Sequence, residues 1–303
     1  MKILVLYGGT SNERDVSIQS GKSIIASLSK KNDVAGYDFD GDYSKLSEEL
    51  IRFDLVFNAL HGGEGENGTV QKFLEDSKMP FTGSSSVSSN KCMNKNLSKE
   101  ICKENAILTP KWACFKGDVD FEQVSRCNFK SMVIKPADEG SSIGLSIIKN
   151  FSLDKKNEFD ESVLKCREVT DKILIEEYID GRELTVGILN DTVLPVLEII
   201  PDNSYYDYEC KYSKGKSKYV VPAKINEDLS NKLKKISLKV YSLLNCSNYA
   251  RVDFRLSNDN KIYFLEINTL PGFTSTSLFP KAANAISINY DDILDKIISS
   301  VKK

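Results

Sequence analysis

The sequence predicts an α/β fold, α+β overall, with a parallel sheet near the N-terminus and antiparallel strand pairs behind it. The first observation is that apolar strand-like segments alternate with helical segments through the first 60 residues. The second is that, beyond about residue 90, strand-like segments follow one another across short turns. The third is length, because 303 residues are enough for two or three domains. We therefore expect an N-terminal parallel-sheet domain followed by α+β domains.

The N-terminal part of the chain alternates strands with helices. Strands are predicted at 2–7, 34–39 and 54–60, and helices at 16–28 and in the segment YSKLSEELIR. This β-α-β-α-β order is the signature of a parallel sheet covered by helices. Ligands of such sheets gather at the carboxyl ends of the strands, and both Glu13 and His61 follow such an end. The G-x-G-x-x-G fingerprint is missing, which argues against a NAD-dependent dehydrogenase.

A loop crowded with glycines, HGGEGENGT, begins at His61 and leads into the helical segment TVQKFLEDS. With so few side chains, its backbone can approach a ligand closely, or it can turn sharply for purely structural reasons. His61 is therefore either a residue that lines a site or a structural hydrogen-bonding group.

A second loop, ADEGSSIG, connects the strands SMVIKP and GLSIIK and so forms a hairpin turn rich in glycine and hydroxyl groups. The backbone N–H groups of such a loop can fold over phosphates. The loop lacks the P-loop spacing, and a flexible turn is the alternative. Lys135 favours the functional interpretation, because a lysine near the centre of an apolar strand needs an anionic partner.

The segment ILIEEYIDGRE, at 173–183, has the pattern of a strand, a turn and a second strand. Backbone groups of an extended edge can bind an adenine, and the carboxylate of Glu183 can accept hydrogen bonds from ribose hydroxyls. An ordinary strand-turn-strand is the alternative. Further along, residues 202–218 form the longest predicted loop, and loops of this kind are often lids or binding loops.

A hairpin near the C-terminus carries oxygen-bearing side chains. Its predicted strands, at 251–256 and 261–267, are separated by the turn Ser-Asn-Asp-Asn. Asp253 lies on the first strand, while Glu266 and Asn268 share one face at the end of the second. Carboxylate and carboxamide oxygens without Cys or His suit Mg²⁺ or Mn²⁺. A solvated hairpin face is the alternative interpretation.

Composition limits the possible partners and the compartment. A formal net charge of -2, with both signs mixed throughout, gives no reason to expect nucleic acid or a membrane surface as a partner. The seven cysteines are scattered and include no C-x-x-C pair, which argues against a disulfide framework or a structural zinc site. The N-terminus reads as a strand and not as a signal peptide, so we expect a cytoplasmic protein.

Considered together, these segments resemble the D-alanine:D-alanine ligases of the ATP-grasp superfamily nearly from end to end. The resemblance is carried by LYGGTSNERDVS, HGGEGENGTVQKFLE, MNK, IKPADEGSSIGLS, IEEYIDGRELTV, YDYECKY, RVDF and FLEINTLPGFTSTSLFP. It implies an N-terminal substrate-binding α/β domain at 1–92, a central ATP-grasp domain at 93–180 and a C-terminal ATP-grasp domain at 181–303. It also implies ATP, two Mg²⁺ (or Mn²⁺) ions, a D-alanyl phosphate intermediate, synthesis of D-alanyl-D-alanine for peptidoglycan, and a homodimer.

The resemblance also implies a role for individual residues. The implied metal ligands are Asp253, Glu266 and Asn268, with Glu266 bridging both ions. The residues implied for ATP are Lys95, Lys135, Glu139, Ser141, Glu176, Glu177, Tyr178, Ile179, Glu183 and Lys211. The residues implied for catalysis or D-alanine binding are Glu13, His61, Ser142, Tyr212, Arg251, Gly272, Ser277 and Leu278. Among these, Ser142, Lys211 and Tyr212 would close the site, and Arg251 with the Gly272 N–H would stabilise an oxyanion.

Two rival functions stay open. A ligase of the same fold could join D-alanine to D-lactate or D-serine; the tyrosine at Tyr212 is typical of the dipeptide ligases and favours D-alanine. A nucleotide-binding module without ligase activity is less consistent with the sequence, because residues for metal, phosphate and oxyanion are all present. Two departures from the family pattern, ENG in the glycine loop where an Asp is common and Asn94 in place of a common Asp, fall at positions without an implied chemical role.

Overall fold

A computed structural model describes residues 1–201, 217–274 and 277–301, which form three β-sheets with flanking helices. The strands are β1 (Lys2–Gly8), β2 (Asp33–Phe39), β3 (Leu55–Asn58), β4 (Trp112–Lys116), β5 (Met132–Pro136), β6 (Ser146–Ile148), β7 (Lys172–Glu177), β8 (Gly181–Leu189), β9 (Thr192–Val193), β10 (Leu197–Pro201), β11 (Ser217–Val220), β12 (Tyr249–Ser257) and β13 (Ile262–Asn268). The helices are α1 (Arg14–Leu28), α2 (Tyr43–Leu50), α3 (Gly63–Glu66), α4 (Thr69–Asp76), α5 (Ser86–Met93), α6 (Lys95–Glu104), α7 (Phe121–Ser125), α8 (Lys156–Arg167), α9 (Glu227–Leu243), α10 (Leu278–Asn284) and α11 (Tyr290–Ser299), with a 3₁₀ turn at Leu153–Lys155.

The N-terminal sheet is parallel, as its β-α-β-α-β pattern predicts, and its strand order is β2-β1-β3. The central strand β1 buries side chains on both faces, because Ile3 and Val5 join one apolar cluster while Leu4 and Leu6 join another. A parallel strand covered on both sides needs such a continuous apolar run. Because β1 and β3 are parallel, the loops that follow them leave the sheet at the same edge.

The middle part of the chain forms an antiparallel sheet of order β4-β7-β5-β6, in which β5 and β6 are the hairpin predicted around EGSSIG. Helix α8 covers this sheet; the sequence predicts a helix at about 161–170, but α8 begins five residues earlier, at Lys156. Charged residues at the start of α8 obscure its apolar period, but Phe159 is fully buried and anchors the first turn. The loop between β5 and β6 therefore projects from a well-packed layer.

The third sheet has the order β11-β10-β8-β12-β13, with β9 paired to the outer part of β8. The predicted hairpin is confirmed as β12 and β13, in which Asp253 lies directly opposite Glu266 and Arg251 lies opposite Asn268. Residues that face each other across an antiparallel pair share one side of the sheet. A register shift between Asp253 and Phe254 ends this regular pairing beside the polar residues.

The sequence predicts a helix at 94–105, and the structure confirms it as α6, which follows α5 directly after Asn94. This residue has extended backbone angles, and its side chain accepts a hydrogen bond of 3.1 Å from the N–H of Leu97. Asn is as effective as Asp at such a helix start, so the departure from the family pattern is structurally neutral. Lys95 is the first residue of α6, so the capped start of the helix fixes the position of its backbone.

One apolar cluster joins the beginning of the chain to its end. It brings Ile3 and Val5 of β1 together with Tyr249 of β12 and with Phe273 and Phe279. In the parts of the chain that the structure describes, the six cysteines are free thiols. Over the same residues, no helix has both the length and the apolar character that a bilayer crossing requires. The loop after β1 and the segment after β13 are thus held side by side.

Candidate active site

Two clefts meet in the middle of the molecule. The first, here called the acidic cleft, has a volume of about 890 Å³ and lies between the N-terminal sheet and the end of β13. The second, the apolar cleft, has a volume of about 940 Å³ and lies between the two antiparallel sheets. The two clefts share a common wall made of Lys95, Glu139, Gly140, Arg251 and Glu266.

The predicted residues are divided between the two clefts. The apolar cleft is lined by Lys95, Lys135, Glu139, Ser142, Glu176, Glu177, Tyr178, Ile179, Glu183, Arg251, Asp253 and Glu266. The acidic cleft is lined by Glu13, His61, Lys95, Glu139, Ser141, Arg251, Glu266, Asn268, Gly272, Ser277 and Leu278. Lys211 and Tyr212 lie outside the described residues. Apart from these two, every residue that the sequence implicates lines one cleft or both.

The apolar cleft has walls of aliphatic side chains, including Val133, Ile147 and Leu265. At its far end the segment 176–179 leaves β7, and Glu183 lies on β8. Arg255 fixes this end, because its guanidinium donates to the Glu183 carboxylate at 3.3 Å and to the Ile179 carbonyl at 3.1 Å. An apolar cleft with a carboxylate at this end can hold an aromatic ring attached to a sugar.

A buried group of charges borders the apolar cleft. Nζ of Lys135 lies 2.5 Å from Oε1 of Glu176, and Nζ of Lys99 lies 2.8 Å from Oε2. Burial by itself would raise the pKa of Glu176, but the two ammonium groups outweigh it and lower that pKa. Lys135 therefore has the anionic partner that its position in an apolar strand requires.

Glu13 is the central carboxylate of the acidic cleft and is almost completely buried. Its Oε1 accepts a hydrogen bond from the hydroxyl of Ser141, which lies in the loop between β5 and β6. Two glycines approach its other oxygen, since a Cβ at Gly62 or Gly140 would lie 2.7 or 2.8 Å from Oε2. The glycines of both loops thus permit a close approach to this carboxylate, as well as a sharp turn at Gly62, where φ is +65°.

Ser141 and Ser142 are adjacent in the chain but line different clefts. Ser141, expected beside ATP, contacts Glu13 in the acidic cleft, whereas Ser142, expected to close the site, lines the apolar cleft. Both residues have positive φ values, of 52° and 59°, so the backbone turns tightly between them. The two adjacent serines therefore line different clefts. The sequence motif alone does not show which serine lines which cleft.

His61 lines the acidic cleft and is also held structurally, so both interpretations of this residue apply. Its Nε2 lies 3.1 Å from the hydroxyl of Ser20, and its carbonyl accepts a hydrogen bond of 2.5 Å from Ser11. Burial lowers the pKa of His61, although the carboxylate of Glu13 opposes this effect. His61 is therefore neutral at physiological pH.

Glu66 is a second buried carboxyl group in the acidic cleft, one that the sequence did not single out. Burial, with a smaller contribution from the carboxylate of Glu13, raises the pKa of Glu66 to about 8. Its Oε2 accepts a hydrogen bond of 3.1 Å from the N–H of Gly62. Glu66 is therefore mainly protonated at neutral pH, while it holds the glycine loop next to Glu13.

The hairpin residues form the floor where the clefts meet. Arg251 pairs with Asp253 through two hydrogen bonds, of 3.0 and 2.8 Å, and the Thr185 hydroxyl donates to the same carboxylate at 2.5 Å. Nζ of Lys95 lies 3.5 Å from Oε2 of Glu266 and 2.5 Å from the Glu139 carbonyl. Positive groups thus lie against the carboxylates on both sides of the common wall.

The segment after β13 closes the acidic cleft. Gly272 lines it, and a Cβ there would lie 2.8 Å from Oγ of Ser277. The Ser277 hydroxyl in turn accepts a hydrogen bond of 2.9 Å from the N–H of Thr274. Leu278, the first residue of α10, supplies an apolar contact at the same end. This segment can hold a small polar molecule against the common wall.

Three residues in these contacts were not recognised from the sequence, although a signal was present for each. Lys99 lies four residues after Lys95, which is one turn of the same helix. Arg255 continues the every-second-residue series of Arg251 and Asp253 on one strand face. Glu66 is a carboxyl residue within the glycine loop that begins at His61. Spacing relative to a known site residue would have identified all three.

An apolar cleft that meets an acidic cleft at a wall of lysines and carboxylates suits an enzyme that activates a small polar substrate with a nucleotide, as the class of nucleotide-dependent ligases does. The comparisons specify this class further. Family models described as the D-ala D-ala ligase N-terminus and C-terminus match residues 37–84 and 102–299. The chain belongs to the D-alanine–D-alanine ligase family.

Individual relatives agree over the whole length of the chain. A D-alanine–D-alanine ligase of Aquifex aeolicus is 42% identical and covers 99% of this chain and 100% of that protein. The crystal structure of the Bacillus anthracis ligase complexed with ATP has a TM-score of 0.85 at 35% identity, covering 99% of this chain and 96% of that one. The VanG D-Ala:D-Ser ligase of Enterococcus faecalis has a TM-score of 0.81 at 28% identity, with 98% of each chain covered.

Proposed function

We propose that this protein joins two molecules of D-alanine to D-alanyl-D-alanine, with ATP as the energy source and D-alanyl phosphate as the intermediate, for peptidoglycan synthesis. The observation that carries the proposal is the common wall of the two clefts. A phosphoryl group transferred at Lys95 and Glu266 stays within reach of both clefts, so activation and bond formation can occur in one enclosed volume.

ATP fits the apolar cleft. Its adenine would lie between the aliphatic walls against the segment 176–179, with the ribose hydroxyls donating to Glu183. Its phosphates would extend toward Lys135 and Lys95, and the loop that carries Ser142 would cover them. The aliphatic lining supplies contact area, and the two lysines neutralise charge on the transferred group.

D-Alanine fits the acidic cleft. Glu13 would bind the ammonium group of the first D-alanine, whose carboxylate then attacks the γ-phosphate. Arg251 and the N–H of Gly272 would stabilise the oxyanion that forms when the second D-alanine attacks the acyl phosphate. Ser277 and Leu278 would hold this second substrate, and Lys211 with Tyr212 would close the site.

The hairpin residues fit the metal ions that the family implies. Over residues 1–201, 217–274 and 277–301, no three His, Cys, Asp or Glu side chains form a metal cluster. However, Asp253, Glu266 and the amide of Asn268 form a set of hard oxygen donors on one face, as Mg²⁺ or Mn²⁺ prefers. We propose that these three hold two such ions, which would neutralise phosphate charge. Arg251 would then share Asp253 with a cation.

The ligation assay tests the proposal directly. Phosphate release from ATP is measured with D-alanine alone and with D-serine or D-lactate as the second substrate, and the products are identified by mass spectrometry. We expect D-alanine to give the fastest turnover and the dipeptide as product. Faster turnover with D-serine or D-lactate would overturn the choice of second substrate, and ATP binding without turnover would favour a nucleotide-binding module.

Three further features belong to the same proposal. The domain boundaries are placed at residues 92/93 and 180/181, and limited proteolysis with mass spectrometry can test them. The protein is expected to be cytoplasmic, where ATP and the substrates are found. It is also expected to form a homodimer, which light scattering coupled to gel filtration can measure; a monomeric mass would contradict this expectation.

A further inference from the structure

Lys99 lies on α6 one turn after Lys95, and its side chain is completely buried, with 0% exposed. A buried ammonium group is costly unless charges and polar groups surround it. Its Nζ lies 2.8 Å from Oε2 of Glu176 and donates a hydrogen bond of 2.7 Å to Oγ1 of Thr109. The same Nζ is 5.6 Å from the ring centre of Trp112, within cation–π range. The fold therefore provides a dedicated site for one buried positive charge.

Lys99 itself does not line either cleft, but its partner does. Glu176 borders the apolar cleft and, through Oε1, contacts Lys135 at 2.5 Å. The other carboxylate oxygen, Oε2, lies 2.8 Å from Nζ of Lys99 and forms a buried charge pair with it. Lys99, Glu176 and Lys135 therefore form a row of charges that leads from the core to the wall of the cleft.

These three side chains together carry one excess positive charge, because two ammonium groups share the carboxylate of Glu176; the carboxylates of Glu266 and Glu183 also attract Lys135. Without Lys99, the carboxylate of Glu176 would be matched by Lys135 alone, and the row would be neutral. Lys135 would then be bound more firmly by Glu176 and would attract an anion less strongly. Lys99 thus controls how much of the charge on Lys135 is available in the cleft.

We propose that Lys99 is a positioning residue for nucleotide binding: it neutralises Glu176 from behind and so leaves Lys135 free to bind the phosphates of ATP. This inference rests on the proposed function of the apolar cleft as the ATP site. Burial lowers the pKa of Lys99 to about 8, while the carboxylate of Glu176 opposes this effect, so the ammonium form predominates at neutral pH. The charge on which the proposal depends is therefore present.

The first test measures the affinity for a non-hydrolysable ATP analogue by calorimetry, with magnesium present. We expect Lys99→Met to weaken binding by about tenfold, as the loss of one nearby charge at an effective dielectric constant of about 20 predicts. Lys99→Gln, which can still hydrogen-bond to Thr109, should lose as much. In steady-state kinetics the KM for ATP should rise while the KM for D-alanine stays unchanged.

Lys103→Met is the matched control. Lys103 follows Lys99 by one turn of α6 and lies 5.5 Å from the ring centre of the same Trp112, but its side chain is exposed. Its removal should leave the affinity for the analogue unchanged. Equal losses in the Lys99→Met and Lys103→Met variants would overturn the proposal, since a general effect of helix charge would then explain both.

A double variant separates charge from structure. Glu176→Gln in the Lys99→Met background restores one excess positive charge at Lys135, so we expect most of the lost affinity to return. If Lys99 only stabilised the fold, the double variant would bind no more tightly than Lys99→Met, and the proposal would fail. If the wild-type protein does not bind the analogue at all, the assignment of the apolar cleft as the ATP site is wrong. If the wild type binds and Lys99→Met binds equally well, only the role proposed for Lys99 is wrong.

Discussion

The two clefts of this protein are built in different ways. The apolar cleft is formed by strands that are neighbours in the antiparallel sheets, and aliphatic side chains such as Ile147 and Leu265 line its walls. The acidic cleft is formed by loops far apart in the chain, which bring Glu13, Glu66 and Glu139 together. The first cleft therefore depends on contact area, and the second depends on a few buried charges.

This difference predicts how each cleft responds to mutation. Contact area is distributed over many atoms, so the loss of one side chain has a limited effect. A buried charge acts through one or two short contacts, and its loss leaves a partner uncompensated. The common wall serves both clefts. Variants of the wall, of the acidic cleft and of the apolar cleft should therefore give effects of different kinds.

The largest effect is expected at Glu266 in the common wall. Glu266→Gln removes the carboxylate that faces Lys95 and that is expected to bridge the metal ions, so ligation should fall by about 10³-fold or more. The assay is coupled phosphate release at saturating ATP and D-alanine. Glu227→Gln, on the exposed first turn of α9, is the control for a general effect of charge.

The fold of the Glu266→Gln variant should stay intact, because this carboxylate is about 30% exposed and lies at the mouth of both clefts. Thermal unfolding should show a transition close to that of the wild type. Activity within a factor of a few of the wild type would contradict the metal assignment. Loss of the folding transition would mean that the wall is structural.

An intermediate effect is expected at Glu13. Glu13→Gln removes a charge-assisted hydrogen bond to the substrate ammonium group, so the KM for D-alanine should rise by about 10- to 100-fold. The KM for ATP should stay nearly unchanged, because the carboxylate faces only the acidic cleft. Initial rates measured as each substrate is varied in turn will separate the two constants.

Leu265→Ala is the matched variant for the apolar cleft. The loss of aliphatic contact should raise the KM for ATP by about tenfold at most and leave that for D-alanine unchanged. If each variant instead raised both KM values equally, the two clefts would not be separate binding sites, and the comparison between them would be wrong.

The smallest effect on catalysis is expected at Glu66. Because the carboxyl is mainly protonated at neutral pH, Glu66→Gln should change turnover by less than about threefold. The effect on stability depends on pH. Burial raises the pKa of Glu66 from 4.5 in the unfolded chain to about 8, so the folded state holds the extra proton. Its contribution is complete below 4.5 and is lost as the pH rises through about 8.

The check is urea unfolding of the wild type and of Glu66→Gln across this pH window. The advantage of the wild type should shrink as the pH rises, since the amide does not titrate. Glu48→Gln, an exposed carboxylate on α2, provides the control. A constant difference between wild type and Glu66→Gln would show that Glu66 does not hold the proton.

The two clefts also differ in how far the sequence could predict them. Strand and helix patterns are local, so the parallel sheet, the β5–β6 hairpin and the β12–β13 hairpin were predicted correctly. The acidic cleft needs contacts between loops more than a hundred residues apart, such as Glu13 with Ser141. No local pattern contains that information. Strand order placed Glu13 after a strand end and the resemblance gave it a role, but its contact with Ser141 appeared only in the folded chain.

The adjacent hydroxyls of Ser141 and Ser142 have a consequence for how the affinities of the two clefts depend on each other. Ser141 already occupies an oxygen of Glu13, so the ammonium group of D-alanine must displace or share that hydroxyl. The same short turn carries Ser142 into the apolar cleft, so a nucleotide that moved this loop would also move the hydroxyl that contacts Glu13 and would change the affinity for the amino acid. Thermodynamic linkage then requires the amino acid to change the affinity for the nucleotide by the same factor.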